Sequence, residues 1–165
     1  MFTLIFLLVL LRFFVFTYEC TTSDDYYWRD YSFGSIPYDA VEINNDGKYI
    51  GQVYLKGGLL PATIFPYLGY AVTELFGKQI IRQQIKILCC PDQSGFYKDD
   101  NYDFNYFIGK LFHEGVWKAG KVIPHEHRNK GFYIWNNTDG KTVKLTQFHM
   151  LKYNSSIVAP GITRC

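Results

Sequence analysis

The chain has 165 residues, enough for one domain or two small packed halves and too few for a multidomain enzyme. Hydrophobic residues make up 48% and charged residues 19%, a globular rather than a disordered balance, and a net charge of +2 excludes an electrostatic nucleic-acid reader. Tyr, Phe and Trp together reach 19%, which favours strands and excludes collagen, coiled coil and polytopic membrane protein.

The N-terminus comes first in chain order. Phe2 to Leu11, apolar except for Thr3, has the length of a secretory h-region and is too short to span a bilayer. Residues 1–20 are therefore expected to be a signal peptide cleaved between Thr17 and Cys20. An uncleaved signal-anchor extending through Tyr18 is the secondary reading. Removal of residues 1–20 takes away Arg12 and Glu19, so the charge of +2 is unchanged. Secretion gives meaning to two N-glycosylation sequons, at Asn136 and Asn154. Asn136 stands beside Asp139-Gly140, a turn signal that places it on the surface. Cysteines occur at 20, 89, 90 and 165. Adjacent Cys89 and Cys90 disfavour bonding to each other, which leaves one bridge to Cys165, or buried free thiols, as the two readings.

From residue 28 the chain repeats itself. Gly51 to Pro66 aligns without a gap on Gly109 to Pro124 at an offset of 58. Farther on the offset is 63, pairing Tyr70 with Tyr133, Gly77-Lys78 with Gly140-Lys141 and Leu88 with Leu151. The polar segment His125 to Lys130 absorbs the difference. Each copy reads as four short strands. The first are Lys48 to Leu55 and Asn105 to His113, closed by Gly57 and Gly115. Ala62 to Phe65 and Lys121 to Ile123 follow, ended by Pro66 and Pro124, which cannot donate to a ladder. Tyr70 to Thr73 and Phe132 to Trp135 are third, and Gln79 to Leu88 and Thr142 to Leu151 are last. A helix over Ile80 to Leu88 is the rival reading of that stretch. Four short strands cannot bury a core alone, so the fold is expected to be all-β, two tandem, interlocked antiparallel β-repeats related by a pseudo-two-fold axis. The boundaries are 28–89 and 92–153, with a tail at 154–165.

Within that pattern, Phe107-Ile-Gly-Lys-Leu-Phe-His-Glu-Gly-Val-Trp-Lys-Ala-Gly-Lys-Val-Ile-Pro124 resembles the hallmark of the DM-nine repeat family. That hallmark runs Tyr-Val-Gly-Arg-Ala-x-His-Glu-Gly, then Pro-Gly-Lys-Val-x-Pro. Trp28 with Gly34 to Val41 is similar to the family's opening, and Ile85 to Cys89 to its close. The resemblance implies an all-β tandem protein without enzymatic activity or cofactor. It further implies a secreted lectin for mannose-type glycans on microbial or host surfaces, in innate immune or salivary settings, with homodimerisation as a route to avidity. In the family an acidic loop residue works with the Lys of Pro-Gly-Lys, and such a pair can clamp two vicinal sugar hydroxyls. Carried over, Lys121 is the motif lysine, and His113, Glu114 and Gly115 match His-Glu-Gly. The loop acid is Asp100 or Asp103. In the first copy Asp46 is the acid, but Thr63 stands where the lysine should be, so one sugar site is expected rather than two. Thr63 and Ala119, which replaces the motif Pro, also suit a secreted or vesicle-associated interaction protein that no longer binds sugar.

Taken without the resemblance, Lys121 reads as a solvated strand-end lysine and Glu114 as a carboxylate at a tight turn. His113-Glu114 does not begin a zinc-protease motif, because Trp117 stands where the second His is needed. His125 and His127 could share a strand face for a metal, but no Cys or carboxylate set accompanies them. No Ser/His/Asp set, phosphate loop or paired-carboxylate spacing points to catalysis.

Overall fold

A computed structural model describes residues 26–91, 96–99, 108–123 and 129–153. The leader 1–20, Asp100, Asp103, His125, His127, Asn154 and the tail lie outside the described residues. The described chain is all-β, with twelve strands, one short 3-10 turn at Pro66–Leu68 and no α-helix. Among the described residues no helix is long and apolar enough to cross a membrane.

Strands β1 (Tyr27–Tyr31), β2 (Tyr49–Leu55), β3 (Gly58–Phe65), β4 (Tyr70–Glu74), β5 (Lys78–Ile81) and β6 (Ile85–Cys89) form one antiparallel sheet. Strands β7 (Phe96–Asp99), β8 (Ile108–His113), β9 (Val116–Ile123), β10 (Gly131–Trp135), β11 (Thr142–Leu145) and β12 (His149–Tyr153) form the other. The first sheet runs β1-β6-β2-β3-β4-β5, and the second, written in the same sense, β7-β12-β8-β9-β10-β11. Every strand therefore has a counterpart at the same place in the other sheet. Each repeat completes its own sheet, so the repeats interlock through side chains and turns across a seam and exchange no strands.

Two of the expected boundaries are corrected. The long final strand is two strands in each copy, and each copy has six strands rather than four. In the first copy β5 pairs with β4, the chain turns out through exposed residues 82–84, and Gln84 adopts φ 55°. Strand β6 then returns to lie between β1 and β2. The pairing of β5, and of β6 on both sides, excludes the helical reading of Ile80 to Leu88. The opening strand β1, absent from the four-strand reading, pairs along its whole length with β6. Both early hairpins close through two-residue turns with two positive φ values, Lys56-Gly57 (49°, 82°) and Glu114-Gly115 (52°, 77°). That is the type I′ geometry that matches strand twist, and it accounts for the recurrent Gly57 and Gly115.

Alternation along the strands sends Val53, Ala62, Ile64, Ala71, Ile85 and Ile87 to one face of the first sheet. There they form a core closed over by Phe33, Ile36 and Ala40. The opposite face meets the second sheet. Ile50 and Leu88 pack with Ala119, Ile108 and Trp117, while Val72 packs with Phe132, Ile134 and Trp135. Full burial of one such side chain stabilises by about 1.5–3 kcal/mol. Several residues meet their own repeat equivalents across this seam. Ile50 and Ile108 share one cluster, Val72 and Trp135 share another, and Lys78 N donates to Gly140 O at 2.7 Å beside Gly77. An approximate two-fold axis has this signature.

The recurrent glycines at 51 and 109 have a packing reason. A Cβ at Gly51 would lie 2.7 Å from Ile64 Cγ1, and one at Gly109 would lie 2.7 Å from Phe132 Cδ2. Not every repeated aromatic is core, however. Tyr54 and Phe112 are equivalent by sequence, yet both sit exposed near the ends of their strands.

Candidate functional site

Lys121 lies on β9 between the buried Gly120 and Val122, and shares its face with Ala119 at the seam. Tyr133 stands opposite it on β10, and the Lys121 ammonium lies 5.5 Å from the centre of that ring. The carboxylate it meets comes from the other repeat. Lys121 Nζ is 3.0 Å from Oε2 of Glu74, the last residue of β4, and the Glu74 side chain is only 3% exposed. A carboxylate so buried needs a charge partner and hydrogen bonds to offset its desolvation. Glu74 Oε1 accepts from Thr142 Oγ1 at 2.7 Å and, at 3.5 Å, from the Gly77 amide. Oε2 has no hydrogen-bond partner of its own, because the nearby ammonium attracts it by charge while lying off hydrogen-bond geometry. The site therefore combines a half-exposed ammonium, an aromatic face and a carboxylate oxygen with acceptor capacity left.

His113 and Glu114 occupy a different place. Strand alternation sends Lys118 to the opposite face of β9 from Lys121, where its side chain is completely buried. Its three ammonium protons have three acceptors. These are Trp135 O at 2.7 Å, Glu114 Oε2 at 3.2 Å and His113 Nδ1 at 3.2 Å, a nitrogen that can accept only when unprotonated. The Trp135 ring adds a cation–π contact at 5.2 Å. Burial pushes the Lys118 pKa down, against the raising effect of Glu114. The Glu114 pKa is lowered first by the Asn137 backbone N–H, then by Lys118. Asn137 also donates from Nδ2 to Glu114 O. His113 and Glu114 thus hold a buried lysine and tie the 114–115 turn to the segment after β10.

Asp46, the acid expected for the first copy, pairs with Lys48 at 2.8 Å. Thr63, which replaces the motif lysine there, is buried at the seam. Its Oγ1 accepts from Ala119 N at 2.8 Å and donates to Ala119 O at 3.3 Å. The structure thus brings Lys121 to Glu74 and His113 with Glu114 to Lys118, and leaves Asp46 apart on its turn. Asn136 is half-exposed, and its Oδ1 accepts from the Thr138 and Asp139 amides, an Asx turn within the sequon. Cys89 is a buried free thiol, and Cys90 beside it is buried as well. Among the described residues no group of three or more His, Cys, Asp or Glu side chains could hold a metal ion.

Sequence reasoning missed Glu74, Thr142 and Lys118. Glu74 left one signal: it is the single acidic residue between Asp46 and Asp92. Lys118 left another, a charge within the otherwise small and apolar run from Val116 to Gly120. The chain matches no family model and no curated protein.

Proposed function

We propose that this protein is a secreted, non-enzymatic carbohydrate-recognition protein that binds mannose-type glycans at the seam between its two repeats. The observation that carries this reading is the Glu74–Lys121 pair, an acceptor and a donor joined across the repeats beside the Tyr133 ring. A vicinal diol suits that arrangement. One hydroxyl donates to Glu74 Oε2 as the half-exposed Lys121 side chain swings aside, and its neighbour accepts from the ammonium. The tyrosine face covers the apolar C–H groups of the ring. The resemblance to DM-nine repeats supports the same chemistry, with Glu74 standing in the acid's role. Such a site is weak alone and gains avidity when chains pair on a glycan-covered surface.

A glycan array and mannan-coated beads test this reading with wild type, Lys121→Ala and Lys121→Arg. Retention of wild type by mannose-type glycans, about tenfold weaker retention of Lys121→Ala and partial recovery with Lys121→Arg are expected. The competing reading is an interaction protein without sugar binding, drawn from the replacement of the motif lysine by Thr63. It prevails if well-folded wild type binds no glycan.

A further inference from the structure

A groove of about 570 Å³ lies on the first repeat, and neither Glu74 nor Lys121 lines it. Its lining is set by strand register. Asp30 on β1, Lys86 on β6 and Gln52 on β2 stand in one row across three strands, and Tyr54 on β2 faces Leu59 on β3. Because alternate residues share a face, Gln52 and Tyr54 project to the same side. Gln84, at φ 55° in the turn between β5 and β6, also lines the groove. Lys86 Nζ and Asp30 Oδ1 pair at 3.0 Å at the open margin, with side chains 45% and 90% exposed, so the lining is electrically balanced, while Tyr54 and Leu59 are 58% and 59% exposed.

This combination selects among ligand classes. A balanced ion pair offers no excess charge for an anion or a cation. An added peptide strand needs unpaired edge backbone, which only β1 at the groove's margin offers, whereas β6 and β2 are already paired on both sides. A lipid tail gains little from a lining of two amides and an ion pair. What remains complementary is a neutral ligand rich in hydroxyls. Amides, a carboxylate and an ammonium supply donors and acceptors together, and Tyr54 with Leu59 supplies a flat apolar wall for sugar C–H groups. The volume falls within the range of about 300–1,000 Å³ usual for small-molecule sites.

The second repeat does not duplicate this groove. Lys110, Phe112, Trp117 and His149 stand at the positions of Gln52, Tyr54, Leu59 and Lys86. Lys110 Nζ is bound to Ile43 O at 2.6 Å, and Trp117 lies between Phe112 and His149 at 5.8 and 6.2 Å. We infer that the groove bounded by Asp30, Gln52, Tyr54, Leu59, Gln84 and Lys86 is a separate binding site for a neutral oligosaccharide. It stands independently of the seam site, and with that site would give one chain two unlike glycan contacts.

The test is titration of isotope-labelled protein with mannotriose and, separately, N-acetylchitotriose, followed by amide NMR, with inorganic phosphate as the anionic comparison. At least one trisaccharide is expected to shift the amides of residues 52–59 and 84–86. Tyr54→Ala and Gln84→Ala, both at exposed positions, should weaken that response about tenfold with an unchanged unfolding midpoint, while Lys121→Ala leaves it intact. Absence of any response to either trisaccharide overturns the inference, as does a response to phosphate alone. Loss of the response in Lys121→Ala also overturns it, because the ligand would then sit at the seam. Failure of the seam reading reads out differently, as mannan binding insensitive to Lys121.

Discussion

Lys118 shows how far a single residue's chemistry depends on its neighbours. A lysine without solvent contact is unfavourable unless all its donors are met, and here a carbonyl, a carboxylate and an imidazole meet them. The His-Glu pair was legible as a motif, but its client was not, because strand alternation alone does not say which lysine of 118 and 121 turns inward. Glu74 was harder still. Its repeat counterpart is Asn137, so comparison of the two copies erases the acid rather than marking it. Glu114 leads to a pH prediction. Its folded pKa is depressed below the ordinary 4.5, chiefly by the Asn137 amide, and that of Asp139 below 3.8, chiefly by the Lys141 amide. Depressed carboxylates contribute stability above their unfolded pKa and lose it as pH falls through the folded value. The urea midpoint should therefore fall as the pH drops below about 4.5, and Glu114→Gln should flatten that limb in part, leaving the share due to Asp139. A variant whose acid limb superimposes on wild type would refute the assignment. Lys118 acts at the other end. Its folded pKa lies below 10.5, so stability should rise as pH climbs from that lowered value towards 10.5.

At the scale of elements, most strands were readable because Gly and Pro punctuate them where the physics requires. The paired I′ turns need positive φ, and Pro66 ends β3 by opening a 3-10 turn. The break between β5 and β6 was not readable. Residues 82–84 contain neither Gly nor Pro, and the bend places Gln84 at φ 55° before the chain crosses back to β2. Glycine in mid-strand is informative for another reason. In β9, a Cβ at Gly120 would lie 2.4 Å from the Tyr133 carbonyl oxygen and 2.7 Å from Ile134 Cγ2, so backbone blocks it as well as side chain. Gly120→Ala should destabilise by about 3 kcal/mol or more, at the upper end of overpacking costs. Gly58→Ala is the control, since its nearest contact would be at 3.9 Å. Chemical denaturation of the two variants compares them directly, and equal midpoints would contradict the close approach of β9 and β10.

For the whole molecule, the seam decides whether two repeats behave as one folding unit. The repeat was visible in sequence, and so was the need for the copies to cover each other. The joint itself was not, because it rests on a residue that departs from the repeat. Thr63 replaces the lysine of the second copy, and its hydroxyl both accepts from and donates to the buried Ala119 backbone. The position that weakened the expectation of a second sugar site is thus the one that fastens the sheets together. Thr63→Val keeps the shape and removes the hydroxyl, leaving the amide and carbonyl of Ala119 without that partner. Each unsatisfied buried group costs about 1–3 kcal/mol, so for the two a loss of about 2–6 kcal/mol is expected, with Thr63→Ser much closer to wild type. The first sheet also owns a core around Val53, Ile64 and Ile87 that does not include the second, which would let that repeat unfold separately if the seam were weak. The shared clusters around Ile50 with Ile108 and Val72 with Trp135 argue otherwise. Thermal unfolding of wild type and Thr63→Val should therefore remain one transition, with aromatic and backbone circular dichroism coinciding at a lower midpoint in the variant. Two resolved transitions in wild type would show that each repeat is stable alone, and a binding site built from Glu74 of one copy and Lys121 of the other would then have no rigid frame.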